Sequence, residues 1–136
     1  MRVEWKGGMA FDGIGENGMS IRMDAHPDHG GADSGISPVE ALLASAAACS
    51  AMDVISILQK KKQVVSKYWM EVDGERNPPG EWPRPFLSIS IKHFIEGENL
   101  DEVAVARSVQ LSDEKYCTVV STLRSAPVVT SSYEIL

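Results

Sequence analysis

The feature that most constrains the fold is a long run of small residues that follows a clear helix start. Ser37 can cap a helix, Pro38 suits its first position, and Glu40 completes a capping box. Residues 41–52 are mostly alanine, serine and leucine, and the helix is predicted to run to about Lys62. Small side chains on nearly every face allow other segments to approach closely all round. The sequence therefore predicts a long, buried central helix.

The segments on either side of this helix alternate between apolar and polar residues, which is typical of strands. The glycine-punctuated N-terminus predicts a small antiparallel meander, and residues 25–35 predict a mobile loop. Further predicted elements are strands over 66–72 and 86–95 with a proline-rich connection, helices over 99–110 and from 112 to before Pro127, and a closing strand over 128–136. This order predicts the α+β class with antiparallel pairing, and no repeat or composition shift divides the single domain 1–136.

Composition and charge argue against several partners. The formal net charge of −6 and the pI near 5.0 oppose nucleic-acid binding, which needs clustered Lys and Arg. We expect no membrane span, because the most apolar stretch carries Glu40 and Asp53. The N-terminus shows no apolar signal segment, and two cysteines are too few for a disulfide scaffold or a four-thiolate zinc site. We therefore expect a cytoplasmic protein. If its two cysteines form a disulfide, we expect that disulfide to be part of a reaction and not a structural link.

The two cysteines are the first candidates for that chemistry. Cys49 lies near the centre of the buried helix, where a cysteine is more often a small hydrophobic residue than a nucleophile. Cys117 is predicted in the second turn of its helix, near the positive end of the dipole and two residues after Lys115. This placement favours a thiolate modestly. Each cysteine taken alone leaves both interpretations open.

Asp53 adds a carboxylate beside the first cysteine. It follows Cys49 by four residues, so the two side chains are roughly 40° apart on an ideal helix and share a face. A carboxylate alone would oppose formation of a thiolate, so a functional site here also needs a cation. Arg22 is the main candidate and Lys6 a weaker one. The alternative is a structural aspartate that holds a basic side chain or a backbone amide.

His26 and His29 lie in the predicted loop, near Asp24 and Asp28. No third strong ligand stands at a fixed spacing from them, so we expect no metal site and no cofactor.

Two longer stretches resemble a known family. The first is Ser37-Pro38-Val39-Glu40-Ala41-Leu42-Leu43-Ala44-Ser45-Ala46-Ala47-Ala48-Cys49-Ser50-Ala51-Met52-Asp53, and the second runs from Ala104 through Ser112-Asp113-Glu114-Lys115-Tyr116-Cys117 to Val119. They resemble the central helix and the second cysteine region of the OsmC/Ohr family, the osmotically inducible and organic hydroperoxide resistance proteins, in the form of the OsmC-like branch. Both motifs occur in the family's order, and the order of strands and helices fits across nearly the whole chain.

The resemblance implies an OsmC-like fold, in which an antiparallel sheet wraps around a long central helix and two subunits form an intertwined homodimer. It also implies roles for the two thiols: Cys49 attacks the peroxide and Cys117 resolves the product. In such proteins an Arg and a Glu position the reacting thiolate. Arg22 matches the Arg, whereas Val39 stands where the Glu is typical; Glu40 is assigned to the helix cap, and Asp53 is the substitute that we infer.

The sequence thus predicts a thiol-dependent peroxidase that reduces organic hydroperoxides in defence against oxidative stress. Catalysis is assigned to Cys49, Cys117, Arg22 and Asp53, without metal or cofactor, and an external dithiol regenerates the thiols. The other hypothesis is a non-enzymatic dimeric pocket protein that binds a small apolar or thiol-reactive ligand. Neither membrane nor nucleic acid is an expected partner.

Overall fold

Three short strands open the chain in the computed structural model, which describes residues 1–135. Strands β1 (Arg2–Trp5), β2 (Phe11–Ile14) and β3 (Ser20–Met23) pair antiparallel in sequence order. The register places Val3 opposite Gly13, and Gly13 opposite Ile21. The predicted meander is therefore confirmed. It belongs to a first compact unit, made of residues Met1–Ser45 and Gly74–Ile89.

The long helix α1 (Pro38–Lys60) begins at the predicted capping box. The Ser37 amide donates to Glu40 Oε2 at 2.8 Å, and the Glu40 amide donates to Ser37 Oγ at 3.2 Å. These bonds satisfy amide groups that the first turn of a helix leaves free. By length and composition alone α1 could cross a membrane, but the core helix of a soluble protein passes the same test.

The second compact unit holds most of the buried side chains. It comprises Ala46–Asp73 and the described residues from Ser90 onward. Its elements are the rest of α1, parts of strands β4 (Val64–Arg76) and β5 (Phe86–Glu98), and helices α2 (Glu102–Leu111) and α3 (Thr118–Ser125). Its apolar core contains Ala46, Ala47, Val54, Leu58, Ala104 and Cys117. The small residues Ala46, Ala47 and Ser50 of α1 are thus buried, whereas Ala44, Ser45 and Ala48 are exposed, so the burial predicted on nearly every face is only partly observed.

Strands β4 and β5 form a separate two-stranded sheet and confirm the predicted pair, each several residues longer than expected. Helix α2 is also confirmed, but it begins at Glu102, later than the predicted start at Asn99. Asp101, not Asn99, accepts the Val103 amide hydrogen at 2.9 Å. Asn99 instead takes a left-handed conformation, with φ of 48°, in the turn after β5. The α+β class stands, with antiparallel sheets and one long helix.

Two further expectations about the C-terminal part are wrong. The single helix predicted from Ser112 is divided into a π-helical turn (Ser112–Tyr116) and α3, with Cys117 in an extended conformation between them. The closing strand is not formed by residues 128–135, which are exposed and irregular; Leu136 lies outside the described residues. A strand needs a neighbour for its backbone hydrogen bonds, and this segment has none within residues 1–135.

Candidate active site

The structure brings the two cysteines together within the second unit. Both are free thiols; Cys49 is partly exposed on α1, whereas Cys117 is 2% exposed. Burial raises the pKa of the Cys117 thiol above its ordinary value, and contact with the Cys49 thiol raises it further. The Cys117 Sγ also lies 4.0 Å from the carbonyl oxygen of Ala46 on α1. The influence of Cys49 on this pKa indicates that the two thiols are near each other in the second unit.

The environment of Cys117 differs from the sequence prediction. The residue was expected inside a helix, where the dipole would favour its thiolate, but it occupies the cap position just before α3 with φ −68° and ψ 101°. The first amides of α3, those of Val120 and Val119, do lower the pKa of the thiol in part. Burial outweighs them, because removal from water disfavours the charged form. Cys117 is therefore the more buried of the two cysteines, and its thiol ionises less readily than an ordinary cysteine.

A buried polar cluster lies beside this thiol pair. We call Ser50, Asp53 and Ser112 the serine–aspartate cluster. The Ser112 Oγ lies 3.0 Å from Ser50 Oγ, 3.2 Å from the Ser50 carbonyl oxygen and 3.1 Å from Asp53 Oδ2. Ser112 is fully buried and Ser50 is 5% exposed. Asp53 thus accepts a hydrogen bond from a neutral hydroxyl, and no Lys, Arg or His within residues 1–135 forms an ion pair with it.

Arg22, the predicted cation, lies on β3 in the first unit. It forms a two-pronged ion pair with Asp12 on the neighbouring strand, in which Nη2 lies 3.1 Å from Oδ2. The register puts the two residues directly opposite each other. Their hydrogen bonds and charges lower the pKa of Asp12 and raise that of Arg22. Lys6, the weaker candidate, bonds Glu4 at 2.8 Å. The role of Arg22 toward Cys49 stays a prediction.

The loop after β3 is more ordered than the sequence predicted. The buried Asp24 carboxylate accepts the amide hydrogens of Ala25, Ala32 and Ser34 at 2.8, 3.1 and 3.1 Å, and the Ser34 hydroxyl at 2.7 Å. The Ser34 hydroxyl and these amides lower the pKa of Asp24 to about 2. The loop also contains a short 3₁₀ helix, Pro27–His29. The expected mobile loop is therefore folded around one carboxylate.

The loop histidines do not assemble a metal site. His26 Nδ1 lies 3.3 Å from Asp28 Oδ2, and both side chains are exposed. Across residues 1–135, no three His, Cys, Asp or Glu side chains are grouped as ligands for a metal ion.

One more polar pair lies in the second unit, between β4 and β5. Tyr68 Oη is 2.6 Å from His93 Nδ1, and both side chains are about half buried. Burial raises the pKa of Tyr68 to about 12 and lowers that of His93, which Asp113 partly offsets. The two groups are therefore neutral and share one hydrogen bond, whose donor is set by the tautomer of the imidazole.

The sequence alone did not indicate the residues that complete the serine–aspartate cluster and the loop around Asp24. Ser50 was taken for one more small residue, Ser112 for a helix cap, and Asp24 for a neighbour of the histidines. Ser50 and Ser112 are 62 positions apart, so no local spacing could have paired them. Among the predicted site residues, Cys49, Cys117 and Asp53 belong to the second unit, and Arg22 belongs to the first.

Comparison with known proteins identifies related sequences over the whole chain. A family model described as OsmC-like protein matches residues 30–132. Protein YhfA from Escherichia coli strain K12 is 41% identical over 135 residues, which cover 99% of this chain and 96% of YhfA.

Solved structures extend this similarity to the fold. A hypothetical protein from Aquifex aeolicus VF5 is 30% identical, with a TM-score of 0.76 over 90% of this chain and 84% of that one. An organic hydroperoxide resistance protein from Legionella pneumophila has a TM-score of 0.65 over 91% and 88% of the two chains. At 16% identity the second similarity concerns the fold alone.

Proposed function

Since the chain belongs to the OsmC family, we propose that it is a thiol-dependent peroxidase that reduces organic hydroperoxides through Cys49 and Cys117. The OsmC/Ohr family includes peroxidases, and its members are soluble, typically dimeric proteins that act on hydroperoxides. The observation that carries the proposal is the proximity of two free thiols, one partly exposed and the other buried.

The proposed reaction balances with no group beyond the two thiols and an external dithiol. The Cys49 thiolate attacks one peroxide oxygen, the O–O bond breaks, and the other oxygen leaves as an alcohol once it is protonated. Cys49 is then a sulfenic acid. The Cys117 sulfur attacks it, a disulfide forms, and water leaves. An external dithiol reduces the disulfide by thiol exchange and is itself oxidised.

Unequal exposure supports the assignment of the two roles. A peroxide from solution meets the partly exposed Cys49 first, whereas Cys117 is shielded and its raised pKa keeps it a thiol. A shielded thiol beside the first sulfur is suited to resolution, because it meets the sulfenic acid without competing for peroxide. The order Cys49 then Cys117 is thus proposed on exposure.

Asp53 and Arg22 complete the proposed machinery. Asp53 is proposed to stand in for the carboxylate expected at Val39, and Arg22 to supply the cation that favours a Cys49 thiolate. Glu40 is engaged in the cap of α1. The role proposed for Arg22 requires its guanidinium to serve the thiolate in addition to Asp12, or instead of it.

The assembly proposed for this chemistry is a cytoplasmic homodimer of one-domain subunits. Apolar side chains on the N-terminal strands support a dimer, because Val3, Trp5 and Ile21 are 57%, 66% and 44% exposed. The extended apolar tail supports it as well, since Val128 and Ile135 are 93% and 87% exposed. A partner subunit could cover the strands and offer the tail a neighbouring strand.

The test of this function is turnover of cumene hydroperoxide with dithiothreitol as reductant. Wild type is expected to consume the peroxide catalytically, and Cys49→Ser to lose all activity. Cys117→Ser, treated with peroxide in the absence of dithiothreitol, is expected to consume one equivalent and to retain a dimedone-reactive Cys49. Ser45→Ala, at an exposed position on the same helix, is the control. Activity that survives in Cys49→Ser, or thiols that resist excess hydroperoxide, would contradict the proposal and favour the pocket protein.

A further inference from the structure

The backbone position of Cys117 is tied to Ser112. The Cys117 amide donates to the Ser112 carbonyl oxygen at 2.9 Å, and this bond closes the π-helical turn between α2 and α3. Such turns are rare and are frequent at functional sites. Any shift of Ser112 therefore moves the second thiol.

The side chain of Ser112 is tied in turn to the part of α1 that carries Cys49. Its hydroxyl lies within 3.2 Å of two oxygens of Ser50 and of Asp53 Oδ2. Ser50 directly follows Cys49, and Asp53 is one helical turn later. The serine–aspartate cluster thus joins the backbones of the two cysteines through hydrogen bonds and without a covalent link.

The buried hydroxyl groups of the serine–aspartate cluster are better suited to fixing the position of the π-helical turn than to filling space in the core. Ala46 and Ala47, one turn before Ser50 on α1, are buried and apolar, and burying hydroxyl groups among such residues is costly unless they are hydrogen-bonded. Alanines would fill similar space at a lower desolvation cost. Hydrogen bonds differ from apolar contacts in fixing direction and register, so the serines define where the π-helical turn lies on α1.

We propose that Ser50, Asp53 and Ser112 are positioning residues that hold the Cys117 thiol close to Cys49. This inference rests on the proposed pairing of the two thiols. Its two serines raise the effective concentration of Cys117 at Cys49 and therefore speed resolution of the sulfenic acid. Asp53 holds Ser112 in addition to the role proposed for it beside the Cys49 thiolate.

The test is a glutathione equilibrium, which needs no peroxide. Oxidised glutathione takes two electrons from the thiol pair, and a Cys49–Cys117 disulfide and two reduced glutathiones form. The ratio at equilibrium reports the effective concentration of Cys117. Ser112→Ala is expected to lower this ratio roughly fivefold to tenfold, the range for lost buried hydrogen bonds. Ser112→Thr retains the hydroxyl and is expected to stay near wild type.

Ser108→Ala is the matched control. Ser108 is also fully buried, on α2, but its hydroxyl donates to the Ala104 carbonyl oxygen of its own helix at 2.7 Å and forms no hydrogen bond to α1 or to the π-helical turn within residues 1–135. The ratio in this variant should equal that of wild type. If Ser112→Ala folds too poorly to measure, Ser50→Ala provides the same comparison, with a smaller expected fall because the Ser50 carbonyl oxygen and Asp53 remain.

Two results would overturn the inference. One is a ratio in Ser112→Ala within twofold of wild type, and the other is an equal fall in the Ser108→Ala control, which would indicate general destabilisation. The proposed function is judged separately. A wild-type protein that forms the disulfide with glutathione but consumes no hydroperoxide refutes the peroxidase, while the ratios of the variants still decide the positioning role.

Discussion

Two aspartates, Asp24 in the first unit and Asp53 in the second, differ in how completely the chain satisfies their carboxylates. Asp24 accepts four hydrogen bonds, three from backbone amides and one from Ser34. Asp53 accepts one, from the Ser112 hydroxyl. A carboxylate that accepts four hydrogen bonds from its own loop holds that loop in place, and it has little acceptor capacity left for a reacting group. Asp53 keeps acceptor capacity beside the two thiols, which is what a site needs.

The comparison is tested most strongly by truncating each aspartate. Asp24→Ala leaves three amides and a hydroxyl without their acceptor, so we expect the melting temperature to fall by roughly 5–10 °C. Asp53→Ala removes a single acceptor and should cost less than half as much. Thermal unfolding followed by circular dichroism measures both, with Asp28→Ala as an exposed control in the same loop. Equal losses for the two aspartates would break the distinction.

The hydrogen bonds to Asp24 should also make the stability of the fold depend on pH in acid. Its pKa of about 2 in the folded protein lies below the ordinary 3.8. The stabilisation from its ionised form is therefore complete above about pH 4 and is lost as the pH falls toward 2. The difference in melting temperature between wild type and Asp24→Asn should therefore become smaller as the pH is lowered from about 4 toward 2. A difference that stays constant from pH 6 to pH 2.5 would show that the charge of Asp24 is not what the loop binds.

In the second unit, the unequal exposure of Cys49 and Cys117 predicts unequal reactivity of the two thiols. We expect iodoacetamide to modify Cys49 at least roughly tenfold faster than Cys117 at pH 7.5, because Cys117 is buried and its raised pKa keeps it protonated. Mass spectrometry of tryptic peptides over time measures both rates in one sample. Faster modification of Cys117 would reverse the proposed roles.

The smallest expected effect is that of the cation. Arg22→Ala should slow alkylation of Cys49 a few-fold near neutral pH if the guanidinium favours its thiolate. Arg2→Ala, which removes an exposed arginine from β1, is the matched control. If Arg22→Ala leaves the rate of Cys49 alkylation unchanged, Arg22 serves only its ion pair with Asp12 and does not act on the thiolate.

Much of the fold could be predicted because its signals are local. The capping box of Ser37 and Glu40 and the alternation along β4 and β5 are each written within a few residues. The strand expected over 128–136 failed for a different reason. Its composition favours an extended chain, but pairing requires a second backbone that the sequence pattern does not identify.

The site was predictable only as far as its residues are close in sequence. Asp53 could be placed near Cys49 because four residues return to the same helix face. The pairing of Ser50 with Ser112 depends on how the π-helical turn packs on α1, and tertiary contacts of this kind have no local signature. Asp24 was missed for a related reason, since a loop that folds around one carboxylate has the same composition as an irregular loop.

The most direct test of the account is a single turnover of the reduced protein with one equivalent of cumene hydroperoxide, followed by peptide mapping without reductant. We predict loss of both thiols, release of one equivalent of alcohol, and one intramolecular disulfide that joins the peptides containing Cys49 and Cys117. Thiols that remain free after exposure to excess hydroperoxide would contradict the central claim that these two cysteines form a peroxidase pair.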